Sequence, residues 1–184
     1  MYKDIENLPS AWKGHRAFAN WLMKEKLPET VVELGVDYGY STFCFAESAI
    51  GTVYAIDTFT GDPHCGIRNN SYDIYLDYSK NYNNIITIVN TFEEAAKTWF
   101  KPIDILHIDG YHTYEACNSD LAIWSPFVKD DGVILMHDTE SFEGVARVYQ
   151  QSSWNKINFT HSFGLGVLSK SPHIISKIRS EYLK

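Results

Sequence analysis

Short apolar runs in this chain end repeatedly on residues that can ionise, hydrogen-bond or hold a metal. Glu33-Leu34-Gly35 closes the first run and Asp57 the second; Thr91 follows the third; Asp109-Gly110 closes the fourth and His137-Asp138 the fifth. In an open α/β sheet the carboxyl ends of the strands frame the ligand crevice, so these groups would converge on one site. The string from Val31 to Thr42 joins β-branched residues to an acid, two glycines and two hydroxyls. That order predicts a buried strand, a tight turn and the opening of a helix, which brings backbone N–H groups to a ligand. Asp57 lies about 20 residues beyond Gly35, where an acid ending the second strand of a βαβ unit accepts hydrogen bonds from ribose hydroxyls. The chemistry implied is binding of a nucleoside-containing cofactor.

Glycine spacing narrows the choice. The pattern is E-x-G-x-x-x-G-x-S. It lacks the third glycine of the dinucleotide fingerprint G-x-G-x-x-G, which disfavours a nicotinamide-dependent oxidoreductase. Glu33 would repel a pyrophosphate but suits a ligand with an amino group or sulfonium. The pattern resembles motif I of class I S-adenosylmethionine (SAM) methyltransferases.

A second motif runs from Ile105 to Glu115. Asp109 ends a strand, Gly110 permits a sharp turn, and His112 falls at the mouth of the crevice. His107, two residues before Asp109, points to the same side of its strand and reads as a hydrogen-bonded core histidine.

The elements that must position these groups alternate along the chain. Helical spacing of Trp12, Phe18, Trp21 and Leu22 predicts a helix over 8–26. Strands are expected at 31–34, 52–56, 85–89, 103–108 and 132–136, with helices at 41–48, 72–82, 92–99, 114–124 and 143–151. The stretch 57–66 is too rich in Gly, Pro and Asp for regular structure. Strands at 157–161 and 165–169 and a helix at 173–183 close the chain. Strands alternating with helices imply a parallel sheet covered on both faces, and the closing pair implies an antiparallel element at its edge.

The chain has 184 residues, enough for one α/β domain with a substantial core. Its formal net charge is −7 and no Lys/Arg cluster tracks a phosphate backbone, which argues against nucleic acid as a partner. Cys44, Cys65 and Cys117 show no C-x-x-C pairing and suit a reducing, cytoplasmic compartment. The polar N-terminus shows no signal peptide, and no apolar run reaches the ~20 residues of a membrane span.

From Ile103 to Gly110, then at His112, Tyr114, Asp120, Trp124, Gly132 and His137-Asp138, the chain resembles a family of small class I methyltransferases. That family includes macrocin-type sugar O-methyltransferases and domains attached to glycosyltransferases. The Gly61-Asp62-Pro63-His64-x-Gly66 loop and the segment from His161 to Leu168 resemble one branch of it. The resemblance implies a Rossmann-like α/β fold with a seven-stranded, mostly parallel sheet, one antiparallel edge strand and helices on both faces. It implies one domain over 1–184, with an N-terminal helical segment at 1–28 and the core at 31–169. Glu33, Gly35, Gly39 and Ser41 would line the methionine half of SAM; Asp57 would hold the ribose; Thr91 and Phe92 would flank adenine; Asp109 would lie beside the sulfonium.

Related O-methyltransferases use a divalent metal, magnesium or manganese, at acids matching Asp109 and the pair His137-Asp138. Here Tyr111 stands where sugar-methylating relatives often carry a second acid, and His137 where metal-using relatives often have Asp. The expected reaction is methylation of a sugar or glycan hydroxyl, which needs a general base or a metal. His64, His112, His137 and Asp109 are the candidates. A non-catalytic SAM-fold interaction module is the competing reading. The acceptor end would be covered by the loop over 57–70, by a second copy in a homodimer, or by another protein such as a glycosyltransferase.

Overall fold

A computed structural model describes residues 4–183. Nine strands lie among them: β1 Thr30–Leu34, β2 Thr52–Asp57, β3 Gly61–Asp62, β4 Gly66–Ile67, β5 Ile85–Val89, β6 Ile103–Ile108, β7 Val128–His137, β8 Asn155–Phe159 and β9 Leu165–Ser169. The α-helices are α1 Arg16–Lys26, α2 Tyr40–Ala46, α3 Ser71–Ser79, α4 Phe92–Lys97, α5 Tyr114–Trp124, α6 Glu143–Gln151 and α7 Pro172–Lys177. Seven strands form one sheet in the order β5-β2-β1-β6-β7-β9-β8. β5, β2, β1, β6 and β7 run parallel. β9 pairs antiparallel with both β7 and β8, so the reversed strand of the expected edge pair is second from the edge. No helix among the described residues is long and apolar enough to cross a membrane.

Successive residues of the central strands face opposite sides of the sheet, so both sides acquire a core. Val31, Ile105 and Val133 pack with Trp12, with Phe18 and Leu22 of α1, with Phe43 and Phe45 of α2, and with Ile174 and Ile178 at the C-terminal end. Val32, Leu106 and Ile134 pack on the other side with Ala95 of α4, Cys117 and Trp124 of α5, and Val145 and Val148 of α6. Every residue of β6 is buried, including Asp104 and His107. Asp104 is satisfied by the backbone N–H groups of Glu29 and Thr30, each at 3.0 Å, and by Lys129 Nζ at 2.7 Å.

Three expected elements differ. The helix over 8–26 begins only at Arg16, preceded by 3-10 turns at Ile5–Asn7 and Ala11–His15. Ser10 caps the second of these, its Oγ accepting from Trp12 N at 3.0 Å, and Pro9 keeps the chain from entering a helix earlier. The irregular stretch after β2 contains a minimal hairpin, β3 paired antiparallel with β4. The closing helix expected over 173–183 is α-helical only at Pro172–Lys177 and continues as a π-helix at Ile178–Tyr182; the other helices and strands lie where the hydrophobic period places them, with ends shifted by a few residues.

Candidate active site

A cleft of about 640 Å³ opens at the C-terminal ends of the central strands. Its shape depends on the turn after β1. Gly35 has φ 91°, and a Cβ there would fall 2.0 Å from the carbonyl oxygen of Asp109. Only glycine lets this turn rest against the end of β6. Gly39, φ 88°, starts α2 from the left-handed region; its Cβ would meet the rings of Tyr75 and Phe43.

Asp57 ties two loops together from the tip of β2. Its Oδ2 accepts from the backbone N–H of Val36 (2.7 Å) and Asp37 (3.0 Å), and its Oδ1 from Phe59 N (2.7 Å). Asp57 lines the cleft, as do Gly35, Gly39 and Ser41. Thr91 and Phe92 line it too; Thr91 caps α4, accepting from Glu94 N at 3.2 Å.

The ends of β6 and β7 bring Asp109, His112, His137 and Asp138 together. Asp138 has φ 66°, a left-handed conformation costly for a non-glycine residue and held here by Asp138 N donating to Gly164 O at 3.0 Å. His112 Nε2 lies 2.8 Å from Asp138 Oδ2. His137 Nδ1 lies 3.3 Å from both Asp109 Oδ1 and Asp138 Oδ2, while its Nε2 donates to the Ser162 carbonyl at 3.1 Å. Burial alone would lower the pKa of His137, but the Asp109 and Asp138 carboxylates outweigh it and raise the value to about 10. His112 follows the same logic: burial opposes its charge, yet the Asp138 hydrogen bond and the nearby carboxylates raise its pKa. Burial works to raise Asp138, and its bonds to His112 and His137 hold it well below the usual carboxylate range.

Two residues expected at the ligand stand elsewhere. Glu33 is fully buried and does not line the cleft. Its carboxylate accepts from Ser41 Oγ, from Thr42 Oγ1 and, at 3.0 Å, from His107 Nδ1. The Trp12 indole donates to His107 Nε2 at 3.1 Å, and indole N–H is only a donor, so the His107 proton sits on Nδ1 and points at Glu33. The expectation of direct ligand contact by Glu33 is therefore corrected: it is a buried brace between β1, α2 and β6. His107 is the hydrogen-bonded core histidine its spacing implies. His64 is exposed and absent from the cleft lining, and its ring stands at the rim, Nδ1 3.4 Å from His112 Nδ1.

Sequence reasoning missed Asp37, Arg68 and Trp12, which all line the cleft. Arg68 Nε donates to Asp37 Oδ1 at 2.9 Å, and this pair joins the motif I turn to the loop after β4. Burial raises the Asp37 pKa, Arg68 works against that, and Asp57 and Asp109 add to the rise. The paired acid and base could have been suspected from their places beside glycine turns. Trp12 could not, because its approach to the cleft is made by the N-terminal segment folding across the sheet.

The donor set suits a cation-bearing nucleoside ligand. Asp37, Asp57, Asp109 and Asp138 surround the cleft, and the glycine turn leaves a cradle that a Cβ would fill. Donor atoms of Asp109, His137 and Asp138 lie within 4.8 Å of one another, with His137 Nε2 pinned by a carbonyl, so this group also fits a divalent cation.

Sheet order, glycine turn and strand-end acids together define the class I, Rossmann-like methyltransferase fold. The chain belongs to a methyltransferase domain family, whose model matches residues 32–139. It is 34% identical over 174 residues to uncharacterized protein y4gI of Sinorhizobium fredii (strain NBRC 101917 / NGR234), covering 86% of this chain and 19% of that protein. The chain thus spans about a fifth of that relative's length. Among solved structures, a methyltransferase from Geobacter sulfurreducens superposes with TM-score 0.69 at 16% identity, covering 90% of this chain and 84% of the other. The O-methyltransferase from Bacillus cereus in complex with SAH superposes with TM-score 0.67 at 15% identity, covering 90% and 86%.

Proposed function

We propose that the protein transfers a methyl group from SAM to a hydroxyl of a sugar or glycan. The observation that carries this reading is the pairing, in one cleft, of the strand-end acid Asp57 with the Asp109–His112–Asp138 group. When bound, SAM supplies an electrophilic methyl group on a sulfonium; the protein's work is positioning and proton removal. Asp57 keeps one lone-pair site for a ribose hydroxyl, and Phe92 offers a face to adenine. The acids around the cleft favour the positive sulfonium over its neutral product.

His112 is held by Asp138 at Nε2, which leaves Nδ1 to take the acceptor's proton. Pro9, Ala11 and Trp12 line the cleft from the N-terminal side. Asp109 Oδ1, Asp138 Oδ2 and His137 Nδ1 would hold a divalent cation, which would polarise the acceptor oxygen. The imidazole donor favours manganese over magnesium. No phosphate-tracking basic patch competes for the acceptor end, and a glycosyltransferase or a second copy of this chain would meet the protein there.

An acceptor screen tests this reading. Sugar nucleotides and glycans are compared with catechols and peptides, with released S-adenosylhomocysteine (SAH) as readout. Turnover is expected on a sugar hydroxyl. Robust methylation of a catechol or peptide with no sugar turnover refutes the acceptor class.

A further inference from the structure

The hairpin formed by β3 and β4 is built around Asp62. Asp62 Oδ1 accepts from His64 N at 2.6 Å and Cys65 N at 3.0 Å, and Oδ2 accepts from the Cys65 thiol at 3.1 Å. His64 at the hairpin tip is set beside His112 by a shared aromatic surface. The Phe142 ring stacks 4.1 Å from the His112 ring and 5.1 Å from the His64 ring.

The two imidazoles turn the same atom toward each other: His64 Nδ1 and His112 Nδ1 are 3.4 Å apart. That is long for a hydrogen bond between nitrogens, whose range ends near ~3.2 Å for good geometry. It matches the edge of a tetrahedral site, which is about 3.3 Å for Zn–N bonds of about 2.0–2.1 Å. A carboxylate oxygen of Asp62 completes the group, the three donor atoms lying within 4.8 Å of one another. The far nitrogen of His112 already has the carboxylate partner, Asp138 Oδ2 at 2.8 Å, that orients a metal-ligating imidazole and raises its basicity.

We propose that Asp62, His64 and His112 form a binding site for a divalent cation of the zinc class, separate from the Asp109–His137–Asp138 group. Two imidazoles and one carboxylate suit a borderline cation better than magnesium. The ligands come from the hairpin and from the turn after β6, so the cation clasps the hairpin onto the sheet. Three protein ligands leave one position open, toward the cleft that Asp62 and His112 both line. A cation there would take the His112 Nδ1 lone pair and lower the pKa of a hydroxyl at the open position, whose proton would then pass to solvent in the cleft. That last consequence rests on the methyl-transfer reading; the binding itself does not.

The test uses the whole protein, stripped with a chelator and titrated with zinc against a chromophoric competitor, then with cobalt for its visible spectrum. A zinc equivalent that depends on His64 and a tetrahedral cobalt spectrum are expected, apart from any equivalent taken by the Asp109–His137–Asp138 group. His64→Ala should weaken zinc by more than about tenfold, the least that loss of even an outer partner costs, and abolish the cobalt spectrum. Asp109→Asn should remove only the equivalent held by the Asp109–His137–Asp138 group and leave the His64-dependent equivalent and the tetrahedral spectrum in place. Equal zinc affinity in wild type and His64→Ala overturns the proposal, and so does loss of the tetrahedral cobalt spectrum in Asp109→Asn. His64 is exposed, so its removal should leave the thermal melt in place. SAH calorimetry on the same samples reads the cofactor cleft independently, which separates a failed metal site from a failed methyl-transfer reading.

Discussion

Replacing Asp57 tests the cofactor cleft most directly, because its carboxylate does two jobs at once. It takes three backbone N–H groups, two from the motif I turn and one from the loop after β2, at 2.7–3.0 Å. It also lines the cleft with one acceptor site left over. In Asp57→Ala the ribose loses a charged acceptor, worth about 1.5–3 kcal/mol, or roughly 10–150-fold in affinity. The turn loses its brace as well, so the upper part of that range is expected. Asp57→Asn retains one oxygen acceptor but presents an NH₂ where the other oxygen stood. It cannot accept from both loops and should fall between wild type and Asp57→Ala. Isothermal calorimetry with SAH, run beside thermal melts of all three proteins, gives both quantities. SAH affinity within twofold of wild type in a folded Asp57→Ala would refute the reasoning.

His112→Ala should lower turnover about 10²–10⁴-fold, the usual contribution of a general base, with SAH affinity nearly intact; equal losses in both would mark His112 as structural. Glu33→Ala should act on stability rather than affinity: it strands His107, Ser41 and Thr42 without their acceptor, and a buried donor left unsatisfied costs about 1–3 kcal/mol. Urea unfolding measures that loss, and a specific loss of SAH binding at unchanged stability would restore Glu33 to the ligand set. Asp120 is buried, and that burial, aided by Glu93, raises its pKa to about 7. The folded value exceeds the unfolded one, so the folded state binds the proton more tightly. This group's contribution therefore favours folding at low pH and is lost as pH rises from about 4 to about 7. Asp120→Asn should raise Tm at pH 8 and change it little at pH 4; a lower Tm at pH 8 would contradict the assignment.

What was legible in the sequence was local. The hydrophobic period located the strands and helices, and the glycines of motif I marked the turn because a positive φ excludes most side chains. Strand-end acids could be grouped in one crevice because parallel strands end on the same side of a sheet. Tertiary structure decided what those side chains touch. Glu33 looked like a ligand acid, yet parallel register sets it beside His107, 74 residues away in sequence, and that contact turns its carboxylate inward. His64 reaches His112 because Phe142, from the segment before α6, packs on both rings and Tyr111 on His64. Trp12 enters the cleft because the N-terminal segment crosses the sheet. The local rules end where a side chain chooses between two partners, since that choice belongs to strand register and packing between distant segments.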